Sequence, residues 1–309
     1  MTVVGEPPSH QNTPAENLQY LPYRTMVHTE VHYWISWAMS HHAMLAMLVG
    51  ISSSAVALNV VDVGTATASK LLPFENKDAF FSAPPRYFGV FDGVSQCPQS
   101  RAFAQTLAKE SSAALSRLQV REDDFGPQAA DALLAAATVA VKYDGCSTAC
   151  LLRLDLDGPV PQVSCYNLGD CGVMLLRSGQ ASSLTVAECT EAKFHANGAP
   201  YQLGGERWET DSVDDGESFT FDLLDGDVLL AFTDGLGDNL QQAEIAQIVS
   251  STASADAMAK ALVDAARERR RVDDDVTCVA LRLGRGGGVS IAPSVTEESP
   301  WEKFGLRPF

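Results

Sequence analysis

Five aspartates lie where apolar stretches of this sequence begin or end, and their placement indicates chemistry on a bound cation. Asp92 closes the run YFGVFDG and Asp234 closes the run LLAFTDG, and each is followed by glycine. The other three are Asp78 in NKDAFF, Asp170 in NLGDCG and Asp274 in VDDDVTCV. Carboxylate oxygens suit Mg²⁺ and Mn²⁺, and glycine lets the backbone and its carbonyl approach the same ion. Two ions that share a carboxylate can hold a hydroxide in line with a phosphorus atom.

Asp-Gly pairs also have an ordinary structural use. Both residue types are favoured in turns, so one Asp-Gly pair by itself indicates a turn more often than a metal ligand. Residue type alone therefore leaves two interpretations open, a metal centre and a set of unrelated turns. The choice depends on whether the surrounding elements bring the aspartates together.

Hydrophobic periodicity predicts those elements. Strands are predicted at 55–63, 79–82, 87–91, 147–154, 163–167, 173–176, 182–186, 218–221, 228–232 and 276–283. Helices are predicted from a cap at Ser100 to about Leu118, from Pro127 to about Val141, at 243–250 and at 255–270. The strands form clusters separated by helix pairs, which favours antiparallel sheets over a doubly wound parallel sheet. We predict an α+β fold, a four-layer αββα sandwich of two antiparallel sheets flanked by helix pairs.

Charge and cysteine content restrict the possible partners. The formal net charge is −17, so we expect no direct binding to nucleic acid phosphates. The basic run at 267–271 (RERRR) is followed by three aspartates, and we expect it to end a helix. The seven cysteines include no CxxC pair, which indicates free thiols in a reducing compartment rather than disulfides or a zinc site.

The N-terminal region is the least regular part of the chain. Residues 1–30 contain three glutamates and one arginine, which is not typical of a mitochondrial transit peptide. The uncharged stretch 43–61 approaches the length of a membrane span, and a span is possible but not favoured. A buried helix around 31–49 followed by the strand at 55–63 agrees better with its serines and β-branched residues.

These patterns divide the chain into three parts. We assign an N-terminal extension of uncertain role to 1–49, a main domain to 50–285 and a C-terminal tail to 286–309. The tail follows the glycine-rich run GRGGG and contains Trp301, Phe304 and Phe309. Aromatic residues on a tether can serve as anchors, either on the chain's own domain or on a protein partner.

Five segments together resemble the protein phosphatase 2C family of metal-dependent serine/threonine phosphatases. They are, in order, YFGVFDG, GCSTACLLRLD, YNLGDCGVMLLRSG, LLAFTDGLGDN and DDDVTCVALRL. Each motif is weak alone, but the five in this order are specific, and the similarity covers roughly residues 74–283. The acid loop Asp-Gly-Val at 92–94 and the segment PYQL at 200–203 look most like the small mitochondrial branch linked to coenzyme Q biosynthesis. The resemblance implies the same four-layer αββα sandwich.

The resemblance also implies roles for the aspartates. Asp92 would bridge two Mn²⁺ or Mg²⁺ ions, and the carbonyl of Gly93 would bind one of them. Asp234 and Asp274 would complete the first ion's ligands, while Asp170 and Asp234 would serve a third, weaker ion. Asp78 belongs to the same predicted metal set, and Asp92 and Asp234 are the predicted catalytic residues. The implied reaction is hydrolysis of phosphoserine or phosphothreonine by the metal-bridging hydroxide, without a phosphoenzyme.

The sequence departs from the family at the second ion. The family has Glu-Asp-Ala or Asp-Asp-Ala where this chain has Lys77-Asp78-Ala79, and the first acid of that motif is a ligand of the second metal. A cation at this place weakens binding of a divalent ion. Glu75 could replace the missing acid if strand alternation turns it to the same side. The family's upstream phosphate-binding arginine is also absent, and Lys70 is the nearest cation.

Two functions follow from this comparison with the family. One is a metal-dependent protein serine/threonine phosphatase that acts on a phosphoprotein with two Mn²⁺ or Mg²⁺ ions, the second weakened by Lys77. The other is a pseudophosphatase, in which the same fold is a binding or assembly subunit of a larger complex and contacts it through the N-terminal extension and the tail. The resemblance implies a mitochondrial location, with the cytoplasm as the alternative.

Overall fold

A computed structural model of the chain describes residues 57–70, 75–118, 124–179, 183–208, 210–286 and 294–295. The predicted helix at 31–49 and the aromatic residues of the tail lie outside these ranges. So does most of the stretch 43–61, but its last residues, from Leu58 on, belong to a strand. Among the described residues, no helix combines the length and apolar character that crossing a bilayer requires.

The described ranges contain two large antiparallel sheets and a short two-stranded pair. The strands are β1 Leu58–Ala68, β2 Ala79–Ala83, β3 Tyr87–Phe91, β4 Cys146–Ser147, β5 Ala149–Asp155, β6 Gln162–Leu168, β7 Gly172–Ser178, β8 Leu184–Cys189, β9 Leu203–Gly204, β10 Glu217–Asp222, β11 Val228–Phe232, β12 Val276–Arg285 and β13 Ser294–Val295. One sheet has the order β1-β12-β11-β7-β8, and the other has the order β10-β6-β5-β3-β2-β13. The short pair joins β4 to β9.

Five helices of the described ranges cover the outer faces of the sheets. They are α1 Ser100–Arg117, α2 Phe125–Ala140, α3 Asp234–Gly237, α4 Gln242–Ser250 and α5 Ala255–Arg269. Helices α1 and α2 pack on the six-stranded sheet through a buried apolar cluster, and α4 and α5 pack on the five-stranded sheet through another. A third cluster fills the space between the two sheets.

Side-chain alternation along the strands produces these layers. In β3, Tyr87 and Phe91 join the cluster with the helices, whereas Phe88 and Val90 point into the space between the sheets. Strands buried on both faces read as continuous apolar runs, which is why YFGVF carries no polar residue. Each large side chain buried in this way contributes about 1.5–3 kcal/mol to folding. The predicted four-layer αββα sandwich of two antiparallel sheets is confirmed.

Two predicted helix starts need correction. Ser100 does not cap α1, because the helix already includes it and its buried hydroxyl accepts a hydrogen bond from the Cys146 N–H at 3.1 Å. Helix α2 begins at Phe125 rather than at Pro127, since the Asp124 side chain accepts from the Gly126 N–H at 3.1 Å. An aspartate cap satisfies a free N–H of the first turn, and this signal outweighs the preference of proline for that turn.

Several elements differ from the sequence prediction in extent. Strand β1 starts at Leu58 and continues to Ala68, five residues beyond its predicted end, because it pairs with β12 over that whole length. Pairing with a long neighbour supplies the hydrogen bonds that local periodicity does not reveal. The short elements α3, β9 and β13 were not predicted, since each is too short to show a period.

Candidate metal centre

Antiparallel pairing places the predicted acids at one end of the sandwich. Asp92 directly follows β3, and Asp78 directly precedes β2, whose first residue pairs with the last residue of β3. Asp234 follows β11 by two residues, and Asp274 precedes the neighbouring strand β12 by two residues. The end of one antiparallel strand adjoins the start of the next, so each sheet contributes two acids to the same end. Asp170 lies where the chain passes from β6 in one sheet to β7 in the other.

Three of these acids converge. Carboxylate oxygens of Asp92, Asp170 and Asp234 all lie within 4.8 Å of one another, and we call this group the acid trio. One oxygen of Asp170 and one of Asp234 are buried without a hydrogen-bond partner. Buried polar atoms are rarely left unpaired unless a ligand or ion completes them. The donor set and its unpaired oxygens therefore fit a hard divalent cation.

The electrostatics of the acid trio are those of a cation site. Burial, together with the nearby carboxylates of Asp170 and Asp274, raises the pKa of Asp234 to about 8. Burial, and then Asp234, raises the pKa of Asp92 well above its usual value. The pKa of Asp170 rises to about 6, mainly through burial. A bound dication reverses this situation, because it stabilises the ionised form of each acid.

Asp78 lies behind the trio and supports it. Its side chain is 2% exposed and accepts a hydrogen bond from the Thr233 hydroxyl at 2.8 Å. Thr233 directly precedes Asp234, and its hydroxyl also accepts from the Thr277 N–H at 2.9 Å. Burial and the Asp275 carboxylate raise the pKa of Asp78 to about 7, whereas the hydroxyls of Thr233 and Thr277 lower it. Asp78 thus bonds through one oxygen to the residue before a trio acid, while its other oxygen is buried without a hydrogen-bond partner.

Asp274 and Asp275 bond mainly to donors of the chain itself. One oxygen of Asp274 lies 3.2 Å from the Lys70 ammonium and accepts the Asp275 N–H at 2.9 Å. Asp275 is 2% exposed, and its two oxygens accept the backbone N–H groups of Lys70 and Lys77, each at 2.9 Å. Asp274 is therefore near the trio but shares its carboxylate with a lysine.

Lys77 points towards a loop rather than towards the acids. Its ammonium donates to the backbone carbonyls of Ser95 at 2.8 Å and Cys97 at 3.0 Å. Burial, and then the charge of Lys70, lowers the pKa of Lys77. The predicted replacement ligand, Glu75, forms an ion pair with Arg101 of helix α1 at 3.6 Å, and its side chain is half exposed.

The glycines of both Asp-Gly pairs are required by close backbone contacts. A Cβ atom on Gly93 would collide with the backbone carbonyl of Lys77, and one on Gly235 would collide with the carbonyl of Asp275. We expected these glycines to admit a ligand. The structure shows that they also let the Lys77 and Asp275 segments approach the loops that carry Asp92 and Asp234.

Thr148 and Thr233 support the site without any signal in the sequence. Thr148 is fully buried, and its N–H donates to the Asp92 carbonyl at 3.0 Å. Its hydroxyl accepts the Asp92 N–H at 3.3 Å and lies 3.1 Å from the sulfur of Cys171. Thr148 lies between β4 and β5, where a threonine is ordinary in itself, so only the three-dimensional structure reveals these contacts.

Comparison with protein families and curated proteins finds relatives along most of the chain. Residues 101–284 match the family model "Stage II sporulation protein E (SpoIIE)". "Probable protein phosphatase 2C BIPP2C1" of Oryza sativa subsp. japonica is 28% identical over 254 residues, 76% of this chain and 42% of that protein. "Probable protein phosphatase 2C 55" of Arabidopsis thaliana is 31% identical over 218 residues, 67% of this chain and 44% of that protein. The chain thus spans less than half the length of these two relatives.

Solved structures share the fold. The "X-ray structure of the photosystem II phosphatase PBCP" matches with a TM-score of 0.61 and 22% identity over 73% of this chain and 98% of that one. The catalytic domain of "serine threonine protein phosphatase PstP in complex with 2 Manganese ions" matches with a TM-score of 0.57 and 17% identity. That match covers 74% of this chain and 99% of the other.

Proposed function

This chain belongs to the protein phosphatase 2C family, and from that membership we propose that it is a metal-dependent protein serine/threonine phosphatase. The observation that carries the proposal is the acid trio, in which buried oxygens of Asp170 and Asp234 have no hydrogen-bond partner. Three carboxylates within 4.8 Å of one another repel each other, and a bound divalent cation relieves that repulsion.

The chain's own residues would hold and orient the site. When bound, Mn²⁺ or Mg²⁺ supplies positive charge at the phosphoryl group and an activated water. Asp92, Asp170 and Asp234 would hold the cation, with the Gly93 carbonyl as a further oxygen. Thr148 fixes the backbone of Asp92 through two hydrogen bonds, and such support keeps ligands in a productive geometry.

We further propose that the site holds one ion tightly and a second ion weakly. The trio supplies three carboxylates to one position. The family's additional acid is replaced by Lys77, which bonds to the loop carbonyls of Ser95 and Cys97, and Glu75 is engaged by Arg101. One oxygen of Asp274 is shared with the Lys70 ammonium, and this contact would weaken the contribution of Asp274 to the first ion.

The second candidate function is a pseudophosphatase that acts as a binding or assembly subunit. The observation that favours it is a pair of lysines, because Lys70 contacts a predicted metal ligand and Lys77 stands in the sequence where the family has a ligand acid. In this alternative the fold keeps its stability without an ion, and the trio is a remnant.

Manganese-dependent turnover decides between the two functions. We expect the wild type to hydrolyse a phosphoserine or phosphothreonine peptide only with added Mn²⁺ or Mg²⁺, and Asp92→Asn to reduce the rate at least about 100-fold. Asp157→Asn is the matched control, since Asp157 is 85% exposed and pairs with Arg86 away from the site. If the wild type and Asp92→Asn are equally inactive with Mn²⁺, the phosphatase proposal fails.

Isothermal titration with Mn²⁺ tests the number of ions. We expect one tight binding event in the wild type and a second event in Lys77→Glu, which restores the family's acid. Lys77→Met is the control, because it removes the cation without adding a ligand. Two equally tight sites in the wild type would contradict the assignment of a weakened second ion.

Substrate, partners and location remain proposals that rest on the family resemblance. We propose a phosphoprotein substrate and contacts with a larger complex through residues 1–49 and 286–309, in the mitochondrion or, as the alternative, the cytoplasm. The mitochondrial coenzyme Q branch remains the narrower family proposal. Imaging of the tagged full chain tests the location, and deletion of 286–309 with a measurement of complex size tests the role of the tail.

A further inference from the structure

A cleft of about 320 Å³ opens beside two acids of the trio. Its lining includes the acids Asp170, Asp234 and Asp238 and the apolar residues Met174, Phe232, Phe194 and Ile245. We propose that this cleft receives an apolar side chain of the phosphoprotein, located two residues from the phosphorylated one. This inference rests on the proposed function and adds a substrate preference to it.

The apolar wall of the cleft is incomplete in the chain alone. Met174, Phe232 and Ile245 are each at most 6% exposed and form a packed floor. Phe194 on the rim is 52% exposed, the most exposed phenylalanine among the described residues. A large apolar side chain beside an apolar cleft gains free energy when a ligand covers it.

The segment that carries Phe194 is fixed to the metal centre. The Lys193 N–H donates to the Gly169 carbonyl at 2.8 Å, directly before Asp170. His195 lies 3.0 Å from a carboxylate oxygen of Asp211, and its ring stacks on Tyr201 with centroids 4.0 Å apart. These contacts hold the residues on both sides of Phe194, so its ring is presented at a defined distance from the trio. A preformed site of this kind spends little free energy on ordering.

Continuity with the acid trio identifies the occupant as part of the substrate. Asp170 and Asp234 also line this cleft, so a peptide whose phosphoryl group lies over them would run beside it. In an extended peptide the side chains at i and i±2 lie on one face, about 6.5–7 Å apart. A residue two positions from the phosphorylated one therefore points to the same wall. The carboxylates of Asp170, Asp234 and Asp238 repel an acidic side chain there, which leaves an apolar one.

Three phosphopeptides that differ at one position test the preference. They carry Leu, Ala or Asp two residues from the phosphothreonine, with alanine next to it, and both the −2 and the +2 position are varied. We expect kcat/KM to follow the order Leu, Ala, Asp at one of these positions, with Leu about tenfold above Ala. In Phe194→Ala the Leu-to-Ala ratio falls towards one, and in Phe194→Leu most of it returns. Leu134→Ala is the matched control, because Leu134 is 55% exposed on helix α2 and should leave the ratio unchanged.

Binding of unreactive analogues separates this inference from the proposed function. The same peptides with a phosphonate in place of the phosphate are titrated calorimetrically into the Mn²⁺-loaded wild type and Phe194→Ala. Tighter binding of the Leu peptide, lost in Phe194→Ala, supports the subsite even if no turnover is found. Equal binding and equal kcat/KM for all three peptides at both positions would overturn the subsite while leaving the phosphatase proposal intact.

Discussion

The acid trio and the neighbouring Asp275 lie at the same end of the sandwich but differ in their hydrogen bonds. In the acid trio, one oxygen each of Asp170 and Asp234 is buried without a hydrogen-bond partner. In the neighbouring Asp275 both oxygens accept backbone N–H groups at 2.9 Å. All four residues are aspartates, so residue type does not distinguish them, although Asp275 is buried and the trio residues are partly exposed.

The supply of donors from the chain itself makes the difference. Asp275 holds the backbone of Lys70 and of Lys77 beside the start of β12, so its hydrogen bonds stabilise the folded state. The trio brings carboxylates together without enough donors, and burial, followed by the repulsion among neighbouring aspartates, raises the pKa of Asp92 and Asp234. The hydrogen bonds of Asp275 stabilise the folded chain directly, whereas the carboxylates of the trio repel one another until a cation binds.

Asp234→Asn is the substitution with the largest expected effect on the trio side of this comparison. It removes a charged ligand, so the affinity for Mn²⁺ should fall at least about 100-fold, as measured by calorimetry. The same change removes a repelled charge, so the metal-free chain should be as stable as the wild type or more stable in urea. A loss of stability in the metal-free form would show that Asp234 is structural.

Asp275→Asn should give the opposite result on the folding side. The amide can accept only one of the two backbone N–H groups and turns its own NH₂ towards the other. We expect a loss of about 1–3 kcal/mol in the free energy of unfolding, with or without Mn²⁺. Urea unfolding in EDTA and in excess Mn²⁺ measures it. An unchanged free energy of unfolding would remove the distinction between the two groups.

The pH dependence of the metal-free chain sharpens the comparison further. The pKa values of Asp170, Asp78 and Asp234 are raised to about 6, 7 and 8, above the value of about 4 for an unfolded aspartate. The folded state therefore binds these protons more tightly, and its stability falls as the pH rises from 5.5 to 8. In EDTA the melting temperature should drop over this range, and excess Mn²⁺ should reduce the drop, because it holds Asp170 and Asp234 in the ionised form. A melting temperature in EDTA that does not change with pH would contradict these raised pKa values.

Lys70→Met should have the smallest effect, because Lys70 contacts Asp274 and not an acid of the trio. The Lys70 ammonium lies 3.2 Å from an oxygen of Asp274, and its removal frees that carboxylate for a cation. We expect Mn²⁺ to bind roughly three- to tenfold more tightly, since screened charges at this distance interact by about 1 kcal/mol. Lys260→Met is the control, because Lys260 pairs with Asp264 on the exposed side of α5. Weaker binding in Lys70→Met would mean that the lysine helps to hold the site.

The fold was accessible from the sequence because both faces of the sheets are buried. Runs such as the one closed by Asp92 are continuous apolar strands, and their clustering predicts antiparallel layers without knowledge of any contact. The cap of α2 and the length of β1 were not accessible in this way. The first depends on a single hydrogen bond from Gly126, and the second on a partner strand more than 200 residues away.

The acids of the candidate site could be predicted from the sequence, but the contacts that each of them makes could not. Spacing identifies Asp92, Asp170 and Asp234, which the structure brings together. Spacing cannot show that Asp78 bonds to Thr233, or that the Lys77 ammonium turns to the carbonyls of Ser95 and Cys97. These outcomes depend on side-chain direction and on backbone donors from distant segments, neither of which leaves a sequence pattern.

The trio draws on both sheets, because Asp92 follows β3 in one and Asp234 follows β11 in the other. Its ligands are far apart along the chain, so the complete set exists only after the two sheets have docked. An ion held there binds the native domain and not the unfolded chain, and at a hundred times its Kd it adds about 2.7 kcal/mol to stability. Metal supply would then influence how long each copy of the protein escapes proteolysis.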